Sequence, residues 1–237
     1  GVVLAIAVSV VLAYLFPWVR GGLDSEPEAG IPASMGEGMQ AIVFFVGQVI
    51  INNIDIVMVK HFFRPTDAGL YAAVALVGRV LYFASWSVVS AMFPISAGAK
   101  PQEQNSSVLV VPLLIVVSLA ALFTVFLGLF PDFVLRMLFG QGFRGQGIGE
   151  LLSLYAATTG SYALAVVLTA YEISRRIANV AWLQLAFSVL VVIGISLFHE
   201  TLREVIVVQQ FLMVLLLILV SLPFFRKKRS AVLQEGS

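Results

Sequence analysis

The sequence predicts an all-α fold, a polytopic transmembrane helical bundle of about seven spans, and two observations predict it. Of 237 residues, 60% are hydrophobic and only 11% charged, with a mean hydropathy of +1.01; a soluble domain carries roughly 25% charged residues. The apolar residues also fall in runs of the length that an α-helix needs to cross a hydrocarbon core, about 20 residues. These runs lack the period-two alternation of an outer-membrane barrel, so helices are expected and strands are not.

The runs lie at about 1–19, 39–60, 70–98, 108–130, 149–171, 178–198 and 205–225. Breakers separate them: Pro17, Pro27, Pro32, Pro65, Pro101, Pro131 and the glycine-containing stretch 140–149. The chain begins inside the first run, which makes it read as the C-terminal piece of a longer protein. Residues 20–38 carry Asp24, Glu26, Glu28 and Glu37 among Gly, Pro and Ser, the composition of a flexible linker between two halves. The loops 20–38 and 131–148 are the longest expected.

The second run holds the sharpest signal. Gln48, Asn52 and Asp55 are spaced i, i+4, i+7 and share one helix face. A carboxylate within a span is costly and generally faces a cavity or a partner. Such a stripe lines a substrate pathway or hydrogen-bonds neighbouring helices to hold the bundle together. In the third run, Arg79 shares a face with Phe83, Trp86 and Ser90. A short loop joins the two runs as antiparallel neighbours, so Arg79 is the natural counter-charge of Asp55, in a pathway or in a structural ion pair. In the fifth run, Tyr155, Thr159, Tyr162 and Thr169 share a face, with Glu172 one turn on. Hydroxyls and rings suit a sugar or headgroup cavity and are equally ordinary packing residues in membranes. Glu172 with Arg175 and Arg176 reads as an interfacial cluster, Trp18, Tyr71 and Tyr82 as interfacial belts or packing, and Lys60 and His61 as surface residues.

The absence of cysteine excludes disulfides, iron–sulfur clusters and thiolate metal sites. His61 and His199 are far apart in sequence, so neither a metal nor a cofactor is expected. A net charge of +1 gives no electrostatic case for nucleic acid. No paired carboxylates, phosphate loop, nucleophile elbow or zincin motif occurs, and no enzyme activity is expected. Lys and Arg are more numerous on the side of Arg20, Lys100, Arg175, Arg176 and 226–229 than on that of Lys60, Arg64, Arg136, Arg144 and Arg203. The positive-inside rule then places the C-terminus in the cytoplasm, with 226–237 as a basic tail.

The stretch Asn53-Ile54-Asp55-Ile56-Val57-Met58-Val59-Lys60-His61-Phe62-Phe63, followed by Asp67-Ala68-Gly69-Leu70-Tyr71-Ala72-Ala73, resembles polysaccharide-biosynthesis transporters. These are O-antigen-flippase-like members of the MATE-like multidrug/oligosaccharidyl-lipid/polysaccharide exporter superfamily. Phe93-Pro94 and Leu138-Phe139-Gly140-Gln141-Gly142-Phe143 ahead of Leu151 strengthen the resemblance, which extends over about 39–225. It implies that 1–19 is the last helix of a preceding lobe, 20–38 the cytoplasmic interlobe loop, and 39–225 a six-helix second lobe. It further implies a lipid-linked oligosaccharide or polysaccharide precursor as substrate and alternating access across the cytoplasmic membrane. The cavity of such a transporter lies between two lobes, so the partners expected are membrane lipids, the glycan substrate, and an N-terminal lobe of the parent protein or a second chain. The pathway residues expected are Gln48, Asn52, Asp55, Arg79, Trp86, Tyr155, Thr159 and Tyr162. A cation-coupled multidrug exporter of the same superfamily is the alternative, and an integral-membrane glycan enzyme a more distant one.

Overall fold

A computed structural model describes residues 35–98, 107–140, 148–174 and 180–235. The helix expected over 1–19, the interlobe loop up to residue 34, Trp18, Lys100, Arg144, Arg175 and Arg176 lie outside the described residues. Among the described residues there are seven helices and no strand: α1 (Met35–Phe62), α2 (Pro65–Gly98), α3 (Ser107–Leu129), α4 (Pro131–Phe139), α5 (Ile148–Ser174), α6 (Val180–Leu197) and α7 (Leu202–Glu235). All but α4 are long and apolar enough to cross a membrane. The chain is a polytopic helical bundle, a multi-pass membrane protein.

Local chemistry sets most boundaries. Pro65 forces Arg64 out of helical geometry and itself opens α2 without needing an N–H partner, so α1 and α2 are joined by Phe63 and Arg64 alone. Pro131 opens α4 in the same way, and α4 stops at Gly140, whose φ of 75° suits a residue without a side chain. Thr201 caps α7: its hydroxyl accepts the Glu204 N–H at 3.1 Å, while Glu204 reaches back to the N–H of Glu200 at 2.8 Å. One expectation is corrected here. The 131–148 loop contains α4, which buries Val134 and Leu135 and exposes Phe133 and Met137. Beyond the span, α7 continues into the basic tail as far as Glu235.

The helix α5 is the hub, packed against α2, α3 and α7. Its small residues make this possible in lipid, where helices associate by close backbone approach and hydrogen bonds rather than by exclusion of water. A Cβ on Gly160 would meet Ala120 of α3 at 3.0 Å and Leu81 of α2 at 3.7 Å; one on Gly149 would meet the Pro131 ring at 2.8 Å. The helix α1 is held differently. It approaches another backbone closely at Gly47, where a Cβ would meet the Leu185 nitrogen of α6 at 3.3 Å, buries Val43, Phe44, Ile51, Met58 and Val59 in the core, and is tied in further by long polar side chains.

Candidate functional site

The helices alternate in direction, so the α1–α2 turn, the start of α5 and the α6–α7 turn share one end of the bundle. Four polar side chains stand six or seven residues in from that end: Asp55 of α1, Tyr71 of α2, Tyr155 of α5 and Gln209 of α7. At 1.5 Å per residue this is about 10 Å of helix rise, which brings four separate elements to one level. Asp55 is fully buried. Its Oδ2 accepts the hydroxyl of Tyr155 at 2.8 Å and that of Tyr71 at 3.0 Å, and Gln209 Nε2 donates to the Tyr71 oxygen at 2.8 Å. Its Oδ1 faces Arg79 Nη2 at 3.4 Å, in an ion pair whose side chains are 1% and 18% exposed for Asp55 and Arg79. The Arg79 backbone lies deeper than Asp55; helical side chains lean toward their own N-terminus, and in α2 that direction is back toward Asp55.

Gly78 is what lets Tyr155 reach the carboxylate. A Cβ there would stand 2.3 and 2.7 Å from two carbons of the Tyr155 ring. The ring therefore lies directly against the α2 backbone, edge-on to Tyr71 at 5.9 Å.

About two helical turns farther in, Gln48 is the centre of a second layer. Its Oε1 accepts the hydroxyls of Tyr162 at 2.7 Å and Tyr82 at 2.9 Å, and Gln184 Nε2 donates to the Tyr162 oxygen at 3.2 Å. Asn52, between the layers, donates to the Gln48 carbonyl at 2.9 Å. Tyr162, Tyr82, Trp86 and Phe44 form an offset ladder of near-parallel rings, with centroids 5.9, 6.2 and 6.5 Å apart. Two buried nitrogens here, Gln48 Nε2 and Arg79 Nε, have no hydrogen-bond partner.

A groove runs between α1 and α2 beside these layers. Its polar compartment, about 310 Å³, is bounded by Gln48, Asn52, Asn53, Arg79, Tyr82 and Trp86 among others. Its apolar compartment, about 390 Å³, shares Phe45 and Trp86 with the first and continues along Phe44, Val89 and Phe93 to Ala170 and Ile173 of α5. Behind Arg79 and Asn52 lies a void of about 20 Å³ bounded also by Tyr155, Thr159, Tyr162 and Gln209, room for one water.

The structure thus brings Asp55, Arg79 and Tyr155 into one hydrogen-bonded layer and Gln48, Asn52 and Tyr162 into a second, with Trp86 on the groove wall. Thr159 borders the inner void, but its hydroxyl is turned back to the Tyr155 carbonyl at 3.0 Å. Thr169 bonds the Ala165 carbonyl at 2.8 Å, away from both layers. Tyr71 and Tyr82 are not belt residues; their hydroxyls are integral to these layers, because each can reach a buried acceptor on α1. Glu172, near the end of α5, is buried and neither carboxylate oxygen has a hydrogen-bond partner; the Arg175 and Arg176 expected beside it lie outside the described residues. Sequence reasoning did not find Gln184 and Gln209, although a lone amide in an apolar run carries the same warning as Asp55. Lys60 and His61 are exposed as expected, with His61 edge-on to Phe62, which stacks on His199 at 4.0 Å.

No model of a protein family, no curated protein and no solved structure matches this chain.

Proposed function

We propose that this chain is the membrane lobe of a transporter that moves a lipid-linked oligosaccharide or polysaccharide precursor across the cytoplasmic membrane by alternating access. One observation carries the reading: an ion pair between the buried Asp55 and the partly exposed Arg79, at the floor of a groove that passes from a polar to an apolar compartment. A substrate with a polar head and an apolar tail needs both compartments adjoining. The pair also provides a two-position element. Closed, the charges compensate each other; parted, each needs another partner, and breaking such a pair costs several kcal/mol (about 3–5). A conformational cycle that exchanges the partners of Arg79 supplies that change.

Asn53, on the groove side of α1, is exposed in the middle of a span. Amides at that depth are ill-suited to lipid tails, so this face is completed by water, substrate and a second lobe, from the parent protein or a second chain. The alternative of a cation-coupled multidrug exporter is less well served. Arg79 and two tyrosine hydroxyls already occupy both oxygens of Asp55, where a coupling cation would have to bind.

Complementation of a strain lacking its glycan flippase tests the reading, with the full parent protein at matched membrane levels. Wild type restores surface glycan, and Asp55→Asn and Arg79→Ala do not. Drug efflux without glycan export by wild type would transfer the assignment to the exporter class.

A further inference from the structure

The polar compartment of the groove has a chemistry more specific than "headgroup". Its size, about 310 Å³, is at the small end of ligand sites, roughly 300–1,000 Å³; it accommodates a sugar ring or two and excludes a long glycan. Arg79 is the one charged residue on its wall among the described residues. That charge is compensated, because the guanidinium sits 3.4 Å from the Asp55 carboxylate. The compartment therefore has no net positive charge to offer a phosphate. It is nonetheless rich in hydrogen-bonding groups. The Arg79 fork has five N–H donors, of which Nη2 serves Asp55 and Nε has no partner. Gln48, 4% exposed, has its Nε2 unpartnered as well. Asn53 uses its Nδ2 on the Val49 carbonyl at 2.8 Å, which leaves its amide oxygen as an acceptor for a ligand hydroxyl. On the same helix as Arg79, Tyr82 and Trp86 add partly exposed rings to the wall.

We infer that this compartment recognises an uncharged pyranose ring of the transported glycan, not the pyrophosphate that links glycan to lipid. Hydroxyls on the ring both donate and accept, which suits the amide oxygen of Asn53 and the free donors of Arg79 and Gln48. The apolar face of the ring meets the exposed part of Trp86, whose own faces are flanked by Tyr82 and Phe44. An anionic phosphate would have to displace Asp55 from Arg79, leaving a buried carboxylate unpaired; a neutral sugar leaves the ion pair intact. The inference rests on the transport reading for its substrate, but its test does not involve transport.

The parent protein, with the lobe that completes the groove, is purified into lipid discs with Trp18→Phe, Trp182→Phe and every tryptophan of that lobe replaced by Phe, so that Trp86 is the single tryptophan. It is titrated with the methyl glycosides of glucose and N-acetylglucosamine, and separately with inorganic pyrophosphate. At least one glycoside gives a saturable change in Trp86 emission, and pyrophosphate neither produces nor competes with it. Asn53→Ala, which alters an exposed side chain and leaves the fold in place, weakens glycoside binding by about tenfold, the effect of one net hydrogen bond. Asn52→Ala is the second variant, with helicity checked by circular dichroism. Saturable binding of pyrophosphate in preference to the glycosides overturns the inference while leaving the transport reading to the complementation result. Absence of any glycoside response, or a response that Asn53→Ala and Asn52→Ala leave unchanged, overturns it too.

Discussion

The helices α1 and α3 are both membrane spans with one side left open, and they open onto different surroundings. In α3, only 6% of the most apolar window is buried, and its outward residues are Val110, Val111, Leu114, Ile115, Leu122, Val125 and Phe126, with Ser118 the polar exception. That surface asks for nothing but lipid tails. In α1, 44% of the corresponding window is buried, yet its open side includes Asn53, and Asn52 and Gln48 border the adjoining groove. The packing also differs. The helix α3 meets α5 through small residues such as Ala120 on Gly160, whereas α1 adds to its apolar contacts the polar ones of Asp55 and Gln48. The lesson is that in this bundle the span packed by small apolar residues faces lipid, and the span that adds buried polar contacts is the one beside the cavity.

The largest effect expected is on the polar attachment of α1. Arg79→Ala leaves a fully buried carboxylate without its counter-charge and destabilises the bundle by about 3–5 kcal/mol. Asp55→Asn costs less, because the partly exposed Arg79 can turn to water in the groove; combining Asp55→Asn with Arg79→Ala recovers much of the loss. Unfolding in lipid discs measures all three, and equal losses for the two single variants would show that Arg79 is not the partner that matters. A charge on the open side of α3 provides the matching break. Leu114→Arg costs about 2.5–3.5 kcal/mol in membrane insertion, whereas Asn53→Arg on α1 costs markedly less if that side meets water; an insertion assay that finds the two alike would remove the contrast.

Gly78→Ala sharpens the comparison inside the bundle. The added methyl drives Tyr155 off the α2 backbone and away from Asp55, an overpacking of about 1–3 kcal/mol. Thermal unfolding reads the loss, and Tyr155→Phe in the same background adds little, since the hydrogen bond has already gone. The smallest effect is at Leu122 of α3, 71% exposed. Leu122→Ala changes stability by no more than about 0.5 kcal/mol, because the side chain exchanges one apolar neighbour for another.

Much of this was legible in particular residues. The long runs announced the spans to within a few residues: 108–130 is α3 at Ser107–Leu129, and 178–198 is α6 at Val180–Leu197. Asp55 and Arg79 stood out because charge within a span needs a partner. Tyr71 and Tyr82 did not, since a tyrosine serves equally at a membrane interface, in packing or as a buried donor, and its neighbours along the chain do not separate these roles. Gln184 and Gln209 were hidden for a related reason. Each is a single amide in an apolar helix, and the residue it meets lies on another helix: Tyr162 for Gln184 and Tyr71 for Gln209. The helix α4 was hidden because a nine-residue segment is too short for a span and too brief for a reliable period.

By itself the sequence determined that the chain resides in a membrane, where its long helices run, and that Asp55 and Arg79 within them had to find partners. Only the tertiary structure decided which partners they found, that Gly78 opens the way for Tyr155, that Glu172 is buried, and that the open sides of α1 and α3 differ. The physical reason is the solvent. In water, the buried face of a helix is the apolar one and its period reveals it; in lipid, the packed face and the exposed face are both apolar, so facing is set by small-residue contacts and hydrogen bonds between segments distant in the chain.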